Sequence, residues 1–493
     1  MACDTFLKIS KKCRTKFVQL QIGEREAYIE GLLRDLRRII SELETHQKLV
    51  FYEAVGFMVA SEQNEETRSA LLFRAMELTD HTWKILMKQA RTNVQSLRNP
   101  DNIKRVSGVL RTNIAMCRSM GHSFMPYLGT TYKDMLNVYK FYSQHVKESV
   151  GTRGPGAIND PIVRLMCAAK REVLQLVELF IEKSSTKHAA TVAKVFLPPL
   201  LEPVLVDYRQ AIPVARDPGV LSLLVTMVNK LREHMSPHVP VVLEMVFEVT
   251  FKMLSGNFED FPEIRQNFFS LVKAIVYHCF GAIFNIPPQY RVAVVQSIVG
   301  AMKHTERIAA ETGLDILKKF LDQVKGNESV AQMFYKGFFM MLLREVLTVL
   351  TDRLHKSGFP KQAVILKYMF DLVESNRIVV PLREGSTASS ENKAFVAHFV
   401  MQSLSTMFPK MDKQEIRKFV ESSFNVGMTL PQFKLHLHDF LVHTKMWSAE
   451  DKSELYVEEQ RKALELRKKQ EMTQKASVPG LLNPHELDDL DDI

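Results

Sequence analysis

"EREAYIEGLLRDLRRIISEL", residues 24–43, and "HQKLVFYEAVGFMVASE", residues 46–62, follow one another almost without a break. In the first, Ile29, Leu32, Leu33, Leu36, Ile40 and Leu43 recur at steps of three and four and fall on one stripe, with the charges opposite, which predicts an amphipathic α-helix. The second predicts another helix, with Val50, Ala54, Val55 and Met58 inward. Two such helices joined by a few residues predict an antiparallel hairpin that buries its apolar faces only against neighbours.

Working outward, the same alternation repeats. Helix starts are predicted near residues 22, 65, 122, 187, 236, 287, 329, 391 and 431, a spacing of about 51 residues. No period-two strand pattern is present, and Pro or Gly marks the joints, as in "NPDN", "GTRGPGAINDP", "ARDPG", "MSPHVP", "NIPPQ" and "SGFP". The expected fold is all-α: an α-solenoid of about nine HEAT-like helix pairs behind one leading helix. "FPEIRQNFFSLVKAIV" (261–276) and "TERIAAETGLDILKKFL" (305–321) carry the spacing of inner HEAT helices. The expected organisation is a solenoid over 1–449, a polar helix over 450–476 and an acidic tail over 477–493. In the polar helix, Glu458/Lys462, Glu465/Lys469 and Glu471/Lys475 are spaced for i,i+4 ion pairs.

The leading helix has no start signal. In "MACDTFLKIS" and onward, Ala2, Phe6, Ile9, Cys13, Phe17 and Leu20 form an apolar stripe with no capping residue before it. The expectation is the second helix of a repeat whose first is absent, with Phe6, Ile9, Cys13 and Phe17 shaped to pack on both sides.

Composition fits a folded chain, with 46% hydrophobic and 25% charged residues in 493. The longest uncharged run, 274–290, is broken by His, Asn and two prolines and falls short of the ~20 apolar residues of a membrane span. No apolar signal segment opens the chain. Residues 1–20 imitate a mitochondrial presequence, with five Lys/Arg against Asp4, yet the helical pattern continues past them without a processing-like gap. The five cysteines stand singly, which points to buried, inert thiols in a reducing compartment and matches no zinc spacing. Net charge is +9, and setting aside Glu486, Asp488, Asp489, Asp491 and Asp492 in the last ten residues leaves +14. The basic excess lacks the interleaved aromatics of a nucleic-acid surface; an acidic protein is the sharper expectation for a partner.

Chemistry-bearing motifs are weak. "GTRGPG" (151–156) lacks the G-K-[ST] ending of a phosphate loop and reads as a linker. His436, His438 and Asp439 in "LHLHD" point to different sides of a helix, as do His278 and Cys279 in "YHCF". "QMFYKGFFMMLL" (332–343) reads as a buried seam rather than a ligand groove, and "LREGSTASSEN" (382–392) as a loop. No catalytic, cofactor or metal residues are expected, and the chain is expected not to be an enzyme.

"DMLNVYKFYS", "FLPPLLEPVLVDYRQAIPVARDPGVLSLL", "FPEIRQNFFSLVKAIVYHCFGAIFNIPP", "MKHTERIAAETGLDILKKFL" and "SVPGLLNPHEL" closely resemble the C-terminal half of the exportin-1 family, nuclear export receptors of the karyopherin-β class. The resemblance implies a HEAT-repeat receptor that binds Ran in its GTP form and leucine-rich export signals and carries cargo through nuclear pores, shuttling between nucleus and cytoplasm. It implies export cargo, Ran through a partial interface and nuclear pore proteins as partners, with no cofactor, no direct nucleic-acid contact and no membrane insertion. It also implies that the signal groove and the amino-terminal Ran-binding repeats lie upstream, that Met1 sits at most at the groove edge, and that Cys3 is not the family's groove cysteine. The carboxylates of Glu486, Asp488, Asp489, Asp491 and Asp492 would form a regulatory tail. The alternative is a HEAT scaffold unrelated to transport.

Overall fold

In the computed structural model, the structure describes residues 2–256, 260–383, 385 and 389–444. Met1, the polar helix over 450–476 and the tail with Glu486, Asp488, Asp489, Asp491 and Asp492 lie outside the described residues, as does part of the 382–392 loop. Two compact units emerge among the described residues, divided between Ala293 and Val294. Each is a solenoid of HEAT-like helix pairs, and no strand occurs among the described residues.

Unit one opens with α1 (Ala2–Lys12), α2 (Arg14–Val18), α3 (Tyr28–Arg34), α4 (Leu36–Ser41) and α5 (Thr45–Ala60). It continues through α6 (Glu65–Ala75), α7 (Glu77–Thr92), α8 (Pro100–Met120), α9 (Met125–Arg153), α10 (Pro161–Lys183), α11 (Ala189–Gln210) and α12 (Pro218–Leu231). After these come α13 (Val239–Val242), a π-helical turn at Leu243–Phe247, α14 (Glu248–Gly256), α15 (Pro262–His278) and α16 (Phe280–Phe284); the division between units falls inside α17 (Pro288–Met302). Helices α1, α5, α8, α10, α12 and α15 pack side by side in one layer, while α6, α9, α11 and the π turn line up in the other.

Local chemistry explains the punctuation. Asn99, Asp160 and Asp217 each precede a proline at the first helical position, and their side chains accept N–H bonds from Asp101, Ile162 and Gly219 at 2.8, 2.9 and 2.9 Å. Each such cap contributes about 1 kcal/mol and sets the phase of the helix behind it. At the other end of α9, Gly154 takes φ +77°, a conformation that suits glycine, and stops the helix after the first residues of "GTRGPG".

Apolar faces follow the predicted stripes where a helix has neighbours on both sides. On α8, Ile103, Val106, Leu110, Ile114 and Cys117 are buried between α5 and α10. Helix α11 is long and apolar enough to cross a membrane by length and composition, which the 274–290 run did not anticipate. Here Pro198, Pro199 and Pro203 lie inside the continuous helix, and Phe196, Leu197, Leu200 and Val204 are buried in the core.

The leading helix departs from its predicted stripe. Cys13, at φ −110° and ψ 19°, ends α1, so the phase resets before α2. Ile9 and Leu20 are 47% and 63% exposed and Cys13 is exposed, while Ser10 is fully buried, its hydroxyl satisfied by donating to the Phe6 carbonyl at 2.7 Å. Phe6 and Phe17 hold to the expectation in part: they are half-buried, stacked on Phe51 and tilted on Tyr28 at 5.8 and 5.1 Å. The helix predicted over 24–43 likewise breaks at Asp35, and Ile40 and Leu43 are only half-buried.

Unit two carries α18 (Arg307–Val324), α19 (Glu328–Leu350), α20 (Phe359–Glu374), α21 (Asn392–Met407), α22 (Lys413–Ser423) and α23 (Leu430–His443). Consecutive helices pack in pairs, and α20 packs against both α18 and α23. Gly313 of α18 meets the end of α17 so closely that a Cβ there would lie 2.8 Å from the Ala301 carbonyl carbon and closer still to Met302 N. In the aromatic run of α19, Phe334, Tyr335, Phe339, Leu342 and Leu343 are buried, as a seam should be, while Met333 is half exposed.

Candidate functional site

The two metal-like and nucleophile-like motifs resolve into packing. His436 Nε2 lies 2.9 Å from the Ser422 hydroxyl with its ring stacked on Phe419, whereas His438 is buried beside Phe359. Cys279 is buried and its thiol donates to the Arg232 carbonyl at 3.2 Å; burial pushes that thiol up from its ordinary pKa. Among the described residues no group of three potential metal ligands occurs. The cysteines were expected to be buried, and this holds for Cys117 and Cys279, while Cys3 and Cys167 are half-buried and Cys13 is exposed.

Chemistry concentrates instead where neighbouring repeats meet in unit one. Across the first layer, Arg118 reaches Glu53 at 3.1 Å, Arg111 pairs with Glu172, and Glu178 accepts from Ser222 and Thr226 at 2.6 and 3.0 Å. Burial pushes the Glu172 carboxyl up, against the opposing pull of hydrogen bonds from Ser107 and Arg111. Across the second layer, the Tyr132 hydroxyl donates to the Phe196 carbonyl at 2.8 Å, Lys147 donates to Gln210 at 2.8 Å, and the Tyr208 and Thr250 hydroxyls are 2.9 Å apart. Each link joins residues tens of positions apart, so it fixes the register of one repeat against the next.

Between α9 and α11 these links frame a groove of about 360 Å³. Its walls are apolar: Val146 and Val150 from α9, Pro203 and Val206 from α11, and Ile212 beyond the helix end. Its floor is polar. Lys170 Nζ sits 2.9 and 2.8 Å from the two Asp207 oxygens, Tyr139 donates to Asp207 at 2.8 Å, and the Lys170 ammonium lies over the Tyr139 ring at 5.1 Å. Burial, then the adjacent Asp207, pushes the Tyr139 hydroxyl well above its ordinary pKa. With its ammonium held by a carboxylate and its tyrosine held protonated, this cluster supports a binding surface rather than nucleophilic chemistry.

A second hollow of about 320 Å³ adjoins the first, sharing Lys170 and Ala215. Arg164, Arg171, Arg216 and Asp217 line it. Arg171 pairs with Asp217 at 2.7 Å, which raises its pKa. Arg216 spans the Tyr208 and Val249 carbonyls at 3.3 and 3.0 Å, and burial lowers its pKa. Sequence reading missed this place. Its signal is a charge on an apolar stripe: Lys170 follows Val163 and Met166 at helical spacing and shares their buried face.

Residues 127–449 match the family described as CRM1 C terminal. Over 488 residues the chain is 38% identical to a protein named Exportin-1 from Drosophila melanogaster. Over 492 residues it is 39% identical to Protein EXPORTIN 1B from Arabidopsis thaliana. A third relative, Exportin-1 of Schizosaccharomyces pombe, is 38% identical over 488 residues. These similarities cover 98 to 99% of this chain and 45% of each relative, so the chain spans about half the length of the curated relatives it matches.

Proposed function

Because the chain belongs to the CRM1 C-terminal family, we propose that it forms the C-terminal solenoid of a nuclear export receptor and acts, without catalysis, in Ran-GTP-dependent export of cargo bearing leucine-rich signals. The observation that carries this reading is the family match over residues 127–449, together with 38 to 39% identity along nearly the whole chain. The layered helix pairs support it, since stacked repeats present long surfaces suited to protein partners.

In this reading the later repeats contribute part of the interface to Ran in its GTP form, outer basic faces meet folded parts of cargo, and nuclear pore proteins are transient partners during shuttling between nucleus and cytoplasm. Met1 borders the cargo groove. Glu486, Asp488, Asp489, Asp491 and Asp492 act as a tethered anionic tail that biases the receptor away from cargo, by an attraction that salt weakens.

The test joins this chain to the upstream repeats of a related exportin and measures binding of a leucine-rich peptide with Ran locked in either nucleotide state. Binding that requires the GTP form supports the reading. Absence of peptide binding, or capture of Ran indifferent to its nucleotide, overturns it and favours a scaffold.

A further inference from the structure

We infer that the two joined hollows at α9, α10 and α11 form a docking site for an acidic peptide segment of a partner protein, which seats an aliphatic side chain between α9 and α11 and lays a neighbouring carboxylate against Arg164. The site needs neither Ran nor an export signal, so it stands apart from the transport reading.

Three features of the place select this occupant. First, the groove walls are aliphatic, and about 360 Å³ accommodates a leucine or isoleucine side chain. Val206 and Ile212 are half-buried there, so an inserted side chain would remove apolar surface that the fold leaves wet. Second, the two hollows together are lined by six cations, Lys140, Lys147, Lys170, Arg164, Arg171 and Arg216, against two carboxylates, Asp207 and Asp217. Lys170 and Arg171 are neutralised by those carboxylates and Lys140 lies 3.9 Å from Glu202, but Lys147 bonds to a neutral amide and Arg216 to backbone carbonyls. Arg164 is exposed on the first turn of α10. This excess is a field complementary to an acidic chain.

Third, the hollows touch. Lys170 and Ala215 belong to both, so a residue filling the groove places its neighbours within reach of the arginines. A lone anion would leave the apolar groove open. A nucleic acid would find no aromatic platform, because Tyr139 and Tyr208 are fully buried beneath the surface. Peptide sequence that alternates leucine with aspartate or glutamate satisfies both hollows at once.

The test uses the full chain and a fluorescein-labelled probe peptide, Glu-Glu-Leu-Asp-Asp-Leu-Glu-Glu, read by anisotropy at low and moderate salt. Binding is expected, weakened by salt, and reduced about tenfold or more by Arg164→Glu and by Val206→Asp. Val195→Asp, at an apolar position exposed elsewhere on α11, should leave it unchanged, and helical circular dichroism checks that each variant is folded. Equal binding by the wild type, Arg164→Glu and Val206→Asp overturns the inference, as does equal binding of a probe with lysine in place of every acid. Two other occupants have their own signatures. If the probe binds only after Glu486, Asp488, Asp489, Asp491 and Asp492 are changed to their amides, the chain's own tail holds the site and the inference fails. If sedimentation shows a dimer that Val206→Asp dissolves, a second copy holds it, and the inference fails again.

Discussion

Lys170 and Asp207 form an ion pair 2.8 Å long with only 8% and 13% of their side chains exposed, and the pair bridges α10 to α11. Their carboxylate also accepts the Tyr139 hydroxyl, so one aspartate ties three helices together. Asp207→Ala would strand the ammonium and a hydroxyl in a largely dry place. The expected loss is about 3–5 kcal/mol, seen as a lower urea midpoint for the chain's first transition. Replacing Lys170 by Met and Asp207 by Leu together should cost much less than Asp207→Ala, because no charge is then left alone.

Glycine at 313 is a packing requirement. Its α-carbon faces the backbone of Ala301 and Met302, which cannot swing aside as a side chain would. Gly313→Ala should destabilise unit two by about 1–3 kcal/mol in thermal unfolding. Gly108→Ala, inside α8 with open space around its position, should instead stabilise by about 0.5–1 kcal/mol.

Alkaline pH should unfold unit one through its tyrosines. Burial pushes the Tyr208 hydroxyl up to about 12, and pushes Tyr127, Tyr132, Tyr139 and Tyr142 upward as well. A raised folded pKa means stability that is fully present below the ordinary value of about 10 and lost as pH rises through the folded value. Tyrosinate absorbance should therefore lag behind that of a tyrosine peptide and appear together with loss of helicity.

Mild acid should loosen the joint where His122 and His188 stack, ring centroids 3.7 Å apart at 9°. Burial, then His188, lowers the His122 pKa, while Glu65 opposes the shift. The stability this lowered pKa contributes is present above the ordinary value of about 6.5 and lost as pH falls through the folded one. His188→Gln should flatten the dependence of melting temperature on pH over that window.

Thiol reactivity should rank by exposure. Cys13 is exposed, while Cys117 is fully buried and its thiol is pushed far up by that burial. A thiol reagent near neutral pH should modify Cys13 first and reach Cys117 only on unfolding; equal rates would contradict the packing of α8.

Much of the architecture was legible along the chain. Starts expected near 65, 122, 187, 236, 287, 329, 391 and 431 correspond to Glu65, Met125, Ala189, Val239, Pro288, Glu328, Asn392 and Leu430, whereas the one expected near 22 falls between α2 and α3, which begins only at Tyr28. Caps and prolines carry that information locally, because a side chain that binds the N–H two or three residues on needs nothing distant. The leading segment was misread for the complementary reason. A stripe drawn through Ile9, Cys13 and Leu20 assumes one unbroken helix, whereas the chain breaks at Cys13 between α1 and α2, both of which pack on α5.

The sequence by itself determined that this protein is a series of amphipathic helix pairs, where most of them begin, and which family they belong to, since period, caps and local identity are properties of neighbouring residues. Only the tertiary structure decided that Lys170 meets Asp207 and Tyr139, that Arg111 meets Glu172, and that a groove opens between α9 and α11. Periodicity says which face of a helix is buried; it does not say at what height the next helix crosses it. That height is fixed by the packing of whole side-chain surfaces, and it is what turns scattered charges into a site.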